Sequence, residues 1–92
     1  MYYTYIVECA DGSYYTGYTD DPLRREKVHN SGKGAKYTRS RLPVHMIYTE
    51  EYESKSEALK REAAIKKLSR PEKEKLIKTK IRGGNNGKGD QG

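Results

Sequence analysis

The residues of this sequence best suited to chemistry are two tyrosines, one arginine and one glutamate. Tyr5 and Tyr15 lie ten residues apart near the N-terminus, and Arg25 and Glu62 follow them. A tyrosine hydroxyl can position or deprotonate a water molecule when neighbouring cations favour the phenolate, and an arginine can stabilise developing negative charge. A single carboxylate with bound waters suits a hard divalent cation. Residue type alone makes these four side chains candidates for a site and does not specify its reaction.

The two tyrosines are predicted to lie on neighbouring strands of a β-hairpin. Residues 2–9 and 14–18 are rich in β-branched and aromatic side chains, and the ADGS between them is typical of a turn. A two-residue turn would place Tyr5 and Tyr15 on opposite faces of the sheet. A three-residue turn with a left-handed Gly12 would place them on one face. Propensity does not choose between the two turns, but cooperation between the tyrosines requires the second.

A short helix after the hairpin carries two further candidate residues. Asp21 followed by Pro22 is typical of a helix N-terminus, and the helix is predicted to end near Asn30. Arg25 and His29 lie four residues apart and therefore share a face, from which both can contact one ligand. By residue type alone, an ordinary helix residue with no role in a site is the favoured interpretation of each.

The segment 31–41, SGKGAKYTRSR, is predicted to be a glycine-containing basic loop that contacts a nucleic-acid backbone. Glycines allow a phosphate to approach the main chain, although the spacing is not that of a Walker loop. The aromatic ring in this segment could stack on a base, or it could fill the core beneath the loop. The candidate nucleic-acid-binding residues are Lys33, Lys36, Tyr37, Arg39 and Arg41.

The next predicted helix places a carboxylate among apolar side chains. Ser54 and Glu57 have the spacing of a capping box, and the helix is predicted to reach Leu68. On a helical wheel, Glu62 lies inside an apolar stripe formed by Ala58, Leu59, Ala63 and Ile65. A carboxylate in such a position is costly unless it is paired or bound to a metal. Arg25 is the candidate partner for a pair, and a divalent cation is the alternative.

The remaining segments complete an α+β domain over residues 1–82. A third strand is predicted over residues 43–52. Ser69 and Glu72 have the spacing of a second capping box, which opens a last helix over residues 71–80, and a disordered polar tail, residues 83–92, follows. The predicted architecture is a three-stranded antiparallel sheet flanked by helices, in the order β-β-α-β-α-α.

Composition limits the class of protein and its partners. The 92 residues form one domain, with 33% hydrophobic residues and no Phe or Trp, so the nine tyrosines must supply core volume. A net charge of +6 suggests an anionic partner, nucleic acid first, although lysines also maintain solubility. The single cysteine, Cys9, excludes an internal disulfide and suits the cytoplasm. No signal peptide or membrane-spanning segment is predicted.

Two tripeptides of the hairpin, Tyr3-Thr4-Tyr5 and Tyr15-Thr16-Gly17, form a paired signature. With Arg25, His29, the run GKGAKYTR and Glu62 in this order, they resemble the GIY-YIG nuclease superfamily. The similarity extends to residue 79 and is strongest to the small, stand-alone bacterial members. The first tripeptide keeps only the final tyrosine of the family name.

The resemblance implies the same fold and a metal-dependent endonuclease that hydrolyses nucleic-acid phosphodiester bonds. It implies that Arg25 is catalytic, that His29 lies where the family has histidine or tyrosine, and that Glu62 binds one Mg²⁺ or Mn²⁺. It does not choose between Tyr5 and Tyr15 as the base. The expected partner is nucleic acid, with DNA favoured over RNA, and no small-molecule cofactor is expected.

Two further expectations concern the activity. Because 92 residues leave no room for an additional DNA-binding domain, we expect weak or structure-directed cutting that is not sequence-specific. The alternative is a non-catalytic nucleic-acid-binding module that uses the same basic loop and tyrosines. The nuclease requires Glu62 and a metal, whereas the binding module requires neither.

Overall fold

A three-stranded antiparallel sheet with its helices on both faces organises the computed structural model, which describes residues 1–86 and the side chains of residues 1–79. The elements in chain order are β1 (Tyr2–Glu8), β2 (Tyr14–Thr19), α1 (Pro22–Asn30), α2 (Lys36–Arg39), β3 (His45–Tyr52), α3 (Lys55–Lys66) and α4 (Arg70–Asn86). The predicted α+β fold is confirmed. The strand order is β2-β1-β3, so β1 is the central strand.

The hairpin contains the three-residue turn. The Cys9 N–H donates to the Ser13 carbonyl at 2.8 Å, and the Gly12 N–H donates to the Cys9 carbonyl at 2.9 Å. Gly12 has a φ of 85°, a left-handed conformation that glycine adopts without strain. Tyr15 is therefore opposite Val7, and Gly17 is opposite Tyr5. Since side chains alternate along a strand, the two tyrosines lie on the same face of the sheet.

Each face of the sheet has its own hydrophobic cluster. Tyr5, Val7, Cys9 and Val44 pack together on one face, which α1 and α2 cover. On the other face, Ile6, Tyr48, Ile65 and Ile77 pack beneath α3 and α4. The Thr4 hydroxyl also donates to the Ala58 carbonyl of α3 at 2.6 Å. Alternate residues of β1 therefore contact different helices, and the candidate tyrosines belong to the α1 face.

Side-chain caps fix the starts of three helices as predicted. Asp21 accepts from the Arg24 N–H at 3.1 Å at the start of α1, and Ser54 accepts from the Glu57 N–H at 3.1 Å at the start of α3. Ser69 and Glu72 bond each other reciprocally at the start of α4. This last helix continues to Asn86, past the predicted domain boundary at residue 82. The rest of the predicted tail, residues 87–92, lies outside the described residues.

Helix α3 ends at Lys66, two residues before the predicted end, and two segments between α1 and α3 also differ from the prediction. The basic segment 31–41 is not entirely a loop, because residues 36–39 form the single turn of α2. Strand β3 begins at His45 and not at residue 43, because the Asn30 side chain binds both the N–H and the carbonyl of Val44, at 2.7 and 2.9 Å. The Glu26 carboxylate likewise accepts from the Met46 N–H at 2.6 Å. Side chains of α1 thus take the place of a further strand here.

Candidate active site

The hydroxyl of Tyr5 is the centre of a buried polar cluster between β1 and α1. Tyr5 is fully buried, and its hydroxyl lies 2.8 Å from Nε2 of His29, which is also fully buried. Nε of Arg25 donates to the same hydroxyl at 3.3 Å. The sequence predicted that Arg25 and His29 face one ligand, and in the structure both contact Tyr5.

The direction of these hydrogen bonds follows from Thr38, which binds the other ring nitrogen of His29. The Thr38 hydroxyl donates to the Ala35 carbonyl at 2.9 Å, and it lies 2.9 Å from Nδ1 of His29. Because its hydrogen is already used, the hydroxyl accepts from Nδ1, and Nδ1 therefore carries a proton. In a neutral imidazole, Nε2 is then an acceptor. The Tyr5 hydroxyl must donate to it.

Burial sets the protonation of this cluster. Burial raises the pKa of Tyr5 above its usual value, and the hydrogen bond and charge of Arg25 lower it by less. The residue types predicted that cations favour the phenolate, but burial outweighs them here. The pKa of His29 is lowered, first by burial and then by the charge of Arg25. Neutral histidine and protonated tyrosine are thus the resting forms.

Two glycines allow the cluster to pack. A Cβ at Gly17 would lie 2.5 Å from the Tyr5 hydroxyl oxygen, and a Cβ at Gly34 would lie 2.4 Å from Nδ1 of His29. No side chain fits at such distances. The glycine that ends the second tripeptide is therefore needed because Tyr5 crosses the neighbouring strand at this point.

Tyr15 connects the buried cluster to the surface. It is partly exposed, and the centroid of its ring lies 6.5 Å from that of Tyr5 and 5.6 Å from that of His29. Its ring also stacks on Tyr37 at 6.1 Å. Nζ of Lys66 lies 5.8 Å from its centroid. Tyr15 thus contacts residues from α1, α2 and α3.

Glu62 lies at the edge of the buried stripe of α3, not inside it as predicted. Leu59 is 42% exposed and Ala63 is also exposed, because α3 turns that side to solvent while Ala58 and Ile65 face the sheet. The Glu62 side chain is 18% exposed. It is close enough to Tyr5 for its charge to add, after burial, to the raised pKa of that phenol.

The partner of Glu62 is Lys66, whose Nζ lies 3.0 Å from Oε2. The alternative partner weighed from sequence, Arg25, donates to Tyr5 instead, and no carboxylate of residues 1–79 forms an ion pair with it. The Arg25 charge is consequently available to an anion.

The residues around Glu62 fit a single hard cation. Within residues 1–79 there is no group of three or more His, Cys, Asp or Glu that could enclose a metal. Mg²⁺ is commonly held by one or two carboxylates and keeps several waters, so one carboxylate suffices. The Lys66 ammonium already occupies a cation position at this carboxylate. Mn²⁺ fits the same oxygen donor.

The basic segment lies next to Tyr15 through Tyr37. The Tyr37 ring is 39% exposed, stacks on Tyr15, and has the Arg41 guanidinium 3.9 Å from its centroid. It is therefore not the buried core residue that was one of the alternatives. Arg41 also pairs with Asp11 at 3.1 Å. The remaining candidates, Lys33, Lys36 and Arg39, are exposed, and Nε of Arg39 donates to the Gly34 carbonyl at 3.3 Å.

Sequence reasoning missed two residues of the site. Thr38 fixes the orientation of His29, but a threonine in a basic segment gives no signal of that contact. Lys66 was not considered, although its spacing from Glu62 is that of a helical ion pair. All the other predicted residues except the exposed cations are joined by a continuous series of contacts, which runs from Arg25 through Tyr5, Tyr15 and Lys66 to Glu62.

This chain is similar to known proteins over most of its length. Residues 1–76 match the model of the GIY-YIG catalytic domain. A UPF0213 protein of Halobacterium salinarum is 58% identical over 77 residues, which are 84% of this chain and 100% of that protein. A UPF0213 protein of Streptococcus pneumoniae is 57% identical over 82% of this chain and 76% of its own length.

Solved structures give the same result. The solution structure of a UPF0213 protein from Bacillus halodurans is 54% identical, with a TM-score of 0.57 over 87% of this chain and 86% of that one. The solution structure of a protein from E. faecalis is 56% identical, with a TM-score of 0.57 over 85% of this chain and 83% of that one. None of the described helices is long and apolar enough to cross a membrane. The chain belongs to the GIY-YIG family of nucleases, which act on nucleic acid, and its relatives there are small UPF0213 proteins.

Proposed function

We propose that this protein is a metal-dependent endonuclease that hydrolyses nucleic-acid phosphodiester bonds. The observation that carries the proposal is the directed chain of hydrogen bonds from Arg25 through Tyr5 to His29. It combines a guanidinium that pairs with no carboxylate of residues 1–79, and therefore suits a phosphate, with a neutral imidazole, which can accept a proton. A cation and a proton acceptor each favour hydrolysis of a phosphodiester.

Arg25 is assigned the stabilisation of the charge that builds on the phosphate during attack. Its Nε is held by Tyr5, so the guanidinium is fixed in orientation before the substrate arrives. A preorganised cation of this kind stabilises a transition state because it needs no reorganisation during the reaction.

The two tyrosines are assigned different roles because they differ in exposure. Tyr15 is partly exposed and is assigned the contact with the attacking water. Tyr5 is fully buried and is assigned the inner position. Its hydroxyl gives its proton to Nε2 of His29 and takes up the proton that the attacking water loses. This transfer requires a neutral imidazole, and the lowered pKa of His29 maintains that form near neutral pH.

Glu62 is the residue that would hold one Mg²⁺ or Mn²⁺, with waters completing the ligand set. Such an ion, when bound, neutralises charge on the phosphate and on the leaving oxygen. The position of Glu62 within electrostatic range of Tyr5 supports this assignment.

The substrate is proposed to be bound through its backbone, with DNA favoured over RNA. The exposed cations Lys33, Lys36 and Arg39 are assigned phosphate contacts, together with Arg41 beside Tyr37. Contacts of this kind carry no sequence information, so cutting should be weak or directed by substrate structure. A cytoplasmic location, expected from cysteine usage, remains a prediction.

The test is cleavage of end-labelled single-stranded, duplex and branched DNA, and of single-stranded RNA of the same sequence. Each substrate is incubated with Mg²⁺ or Mn²⁺ and, in parallel, with EDTA. Glu62→Gln removes the ligand charge without changing the size of the side chain, and Glu51→Gln changes an exposed carboxylate of β3 in the same way. Cutting that needs the metal and Glu62, but not Glu51, is the expected result.

The alternative, a binding module without catalysis, predicts a different outcome. No substrate would be cut, or the cutting would survive Glu62→Gln and come from a contaminant. Nucleic-acid affinity would then fall steeply with salt and with loss of Lys36 or Arg39, and Glu62→Gln would leave it unchanged.

A further inference from the structure

We propose that Lys66 is an internal counter-ion of Glu62 that competes with the divalent cation and is displaced when the metal binds. The inference rests on the proposed function, because it takes Glu62 as the metal ligand. It adds a residue that sets how tightly the site holds its metal.

The first observation is the position of the ammonium group. Nζ of Lys66 lies 3.0 Å from Oε2 of Glu62, on the carboxylate that would bind the metal. Lys66 is the last residue of α3, one turn after Glu62. Its Nζ also lies 5.8 Å from the ring centroid of Tyr15 on β2. The side chain is therefore turned towards the sheet and contacts two residues of the site, unlike a lysine that pairs only along its own helix.

The second observation is the unequal burial of the pair. The Glu62 side chain is 18% exposed, and that of Lys66 is 50% exposed. A largely buried carboxylate without a partner is unfavourable, so some cation must accompany Glu62 when no metal is present. Lys66 supplies that cation in the metal-free protein. Because the Lys66 side chain is half exposed, its ammonium can move from the carboxylate into solvent.

Competition follows from charge and space. An ammonium in contact with Oε2 occupies a coordination position, and a divalent ion at the same carboxylate would be repelled by it at short range. Metal binding therefore includes the cost of moving Lys66 away. Removing the charge of Lys66 should tighten metal binding, and retaining a cation at this position should not.

The test is binding of Mn²⁺ alone, followed by the loss of the free-ion signal in electron paramagnetic resonance. Lys66→Met keeps the length of the side chain without its charge, and Lys66→Arg keeps the charge. Lys60→Met is the matched control, because it removes the same charge from an exposed position of the same helix. Glu62→Gln identifies the part of the binding that belongs to the site.

Lys66→Met is expected to bind Mn²⁺ on the order of tenfold more tightly than the unmodified protein, from the loss of a contacting charge. Lys66→Arg and Lys60→Met should stay within about twofold, because the first retains the cation and the second removes an exposed one that does not pair with Glu62. The thermal midpoint should also rise more with Mn²⁺ in Lys66→Met than in the unmodified protein.

Two results would overturn the proposal, and they have different meanings. In the first, Mn²⁺ binding depends on Glu62, but Lys66→Met binds no more tightly than the unmodified protein, or Lys60→Met tightens binding by as much as Lys66→Met does. That result would remove the role of Lys66 and leave the metal site intact. An absence of Glu62-dependent binding in every variant removes the metal site itself and the proposed function with it.

Discussion

Two networks of tyrosine and arginine side chains lie on opposite faces of the sheet, and they balance charge differently. On the α3 face, Arg61 donates to both oxygens of Glu50, at 2.7 and 3.1 Å. The hydroxyls of Tyr48 and Tyr52 donate to the same carboxylate. Burial would raise the pKa of Glu50, but these hydrogen bonds outweigh it and lower the pKa. Burial and the bond to Glu50 raise the pKa of Tyr52 to about 12.

On the α1 face, the corresponding network has a neutral histidine in place of the carboxylate. Arg25 donates to Tyr5, Tyr5 donates to His29, and His29 donates to Thr38. Within residues 1–79 no carboxylate pairs with Arg25, so this network keeps a full positive charge.

The difference shows how similar side chains serve different purposes. The Glu50 network is complete without a ligand, since each charge has its partner, and its role is to join β3 to α3. The Tyr5 network is incomplete in charge, and an anion such as a phosphate would complete it. Both networks contain tyrosine and arginine. What distinguishes the structural network from the candidate site is whether a carboxylate or a neutral histidine accompanies them.

Removing Arg25 should produce the largest effect. Arg25→Ala is expected to reduce the cleavage rate by about 10²–10³-fold, as loss of a preorganised transition-state donor does elsewhere. The thermal midpoint should change little. Arg24→Ala is the matched control, because Arg24 is 70% exposed and pairs only at 3.6 Å with Asp20. Equal losses of activity in both variants would remove the distinction that we draw for Arg25.

Removing Arg61 should affect stability and not chemistry. Arg61→Ala leaves the largely buried Glu50 without its cation, and the free energy of unfolding should fall by about 3 kcal/mol. This value is the lower end of the range for buried pairs, because the Arg61 side chain is 36% exposed. Urea unfolding measures this cost, and the cleavage rate per folded molecule should be unchanged. A specific loss of activity in the folded Arg61→Ala protein would contradict the structural role of the network.

Acid should weaken the Tyr5 network before the Glu50 network. The pKa of His29 is lower in the folded protein than its ordinary value of 6.5, so the unfolded chain binds more protons below that pH. Stability is therefore complete above about pH 6.5 and falls as the pH decreases, by at most about 1.4 kcal/mol per pH unit from this residue.

The measurement is urea unfolding between neutral and mildly acidic pH. His29→Asn should remove most of this slope, whereas His45→Asn, which changes an exposed histidine, should retain it. The cleavage rate of the folded protein should decrease at lower pH than the stability does, as the pH falls through the lowered pKa of His29, because a protonated His29 cannot accept the Tyr5 proton. An unchanged slope in His29→Asn would assign the acid sensitivity to other groups.

The smallest effect is expected for Tyr52→Phe. It removes one of the hydroxyls that donate to Glu50, at 2.6 Å, and leaves Arg61 in place. The free energy of unfolding should fall by about 1 kcal/mol, the usual net value of a hydrogen bond. Activity should not change. A loss as large as that of Arg61→Ala would mean that the hydroxyl, and not the guanidinium, balances the carboxylate.

Local signals in the sequence predicted much of the fold. The hairpin, the N-terminus of α1 at Asp21 and the capping boxes at Ser54 and Ser69 are short-range features, and the structure has each of them. Boundaries that depend on partners distant in sequence were less accurate. Strand β3 starts late because Asn30 binds Val44, and α2 forms within the predicted loop.

The sequence by itself determined which residues are available for chemistry and how they are spaced along their own strand or helix. Propensity and capping act over a few residues, so they are readable without the fold. Only the tertiary structure decided that Gly12 is left-handed and places Tyr5 beside Tyr15, that Thr38 orients His29, and that Lys66 binds Glu62. These outcomes depend on burial and on contacts between separate elements, which exist only once the sheet and helices are packed.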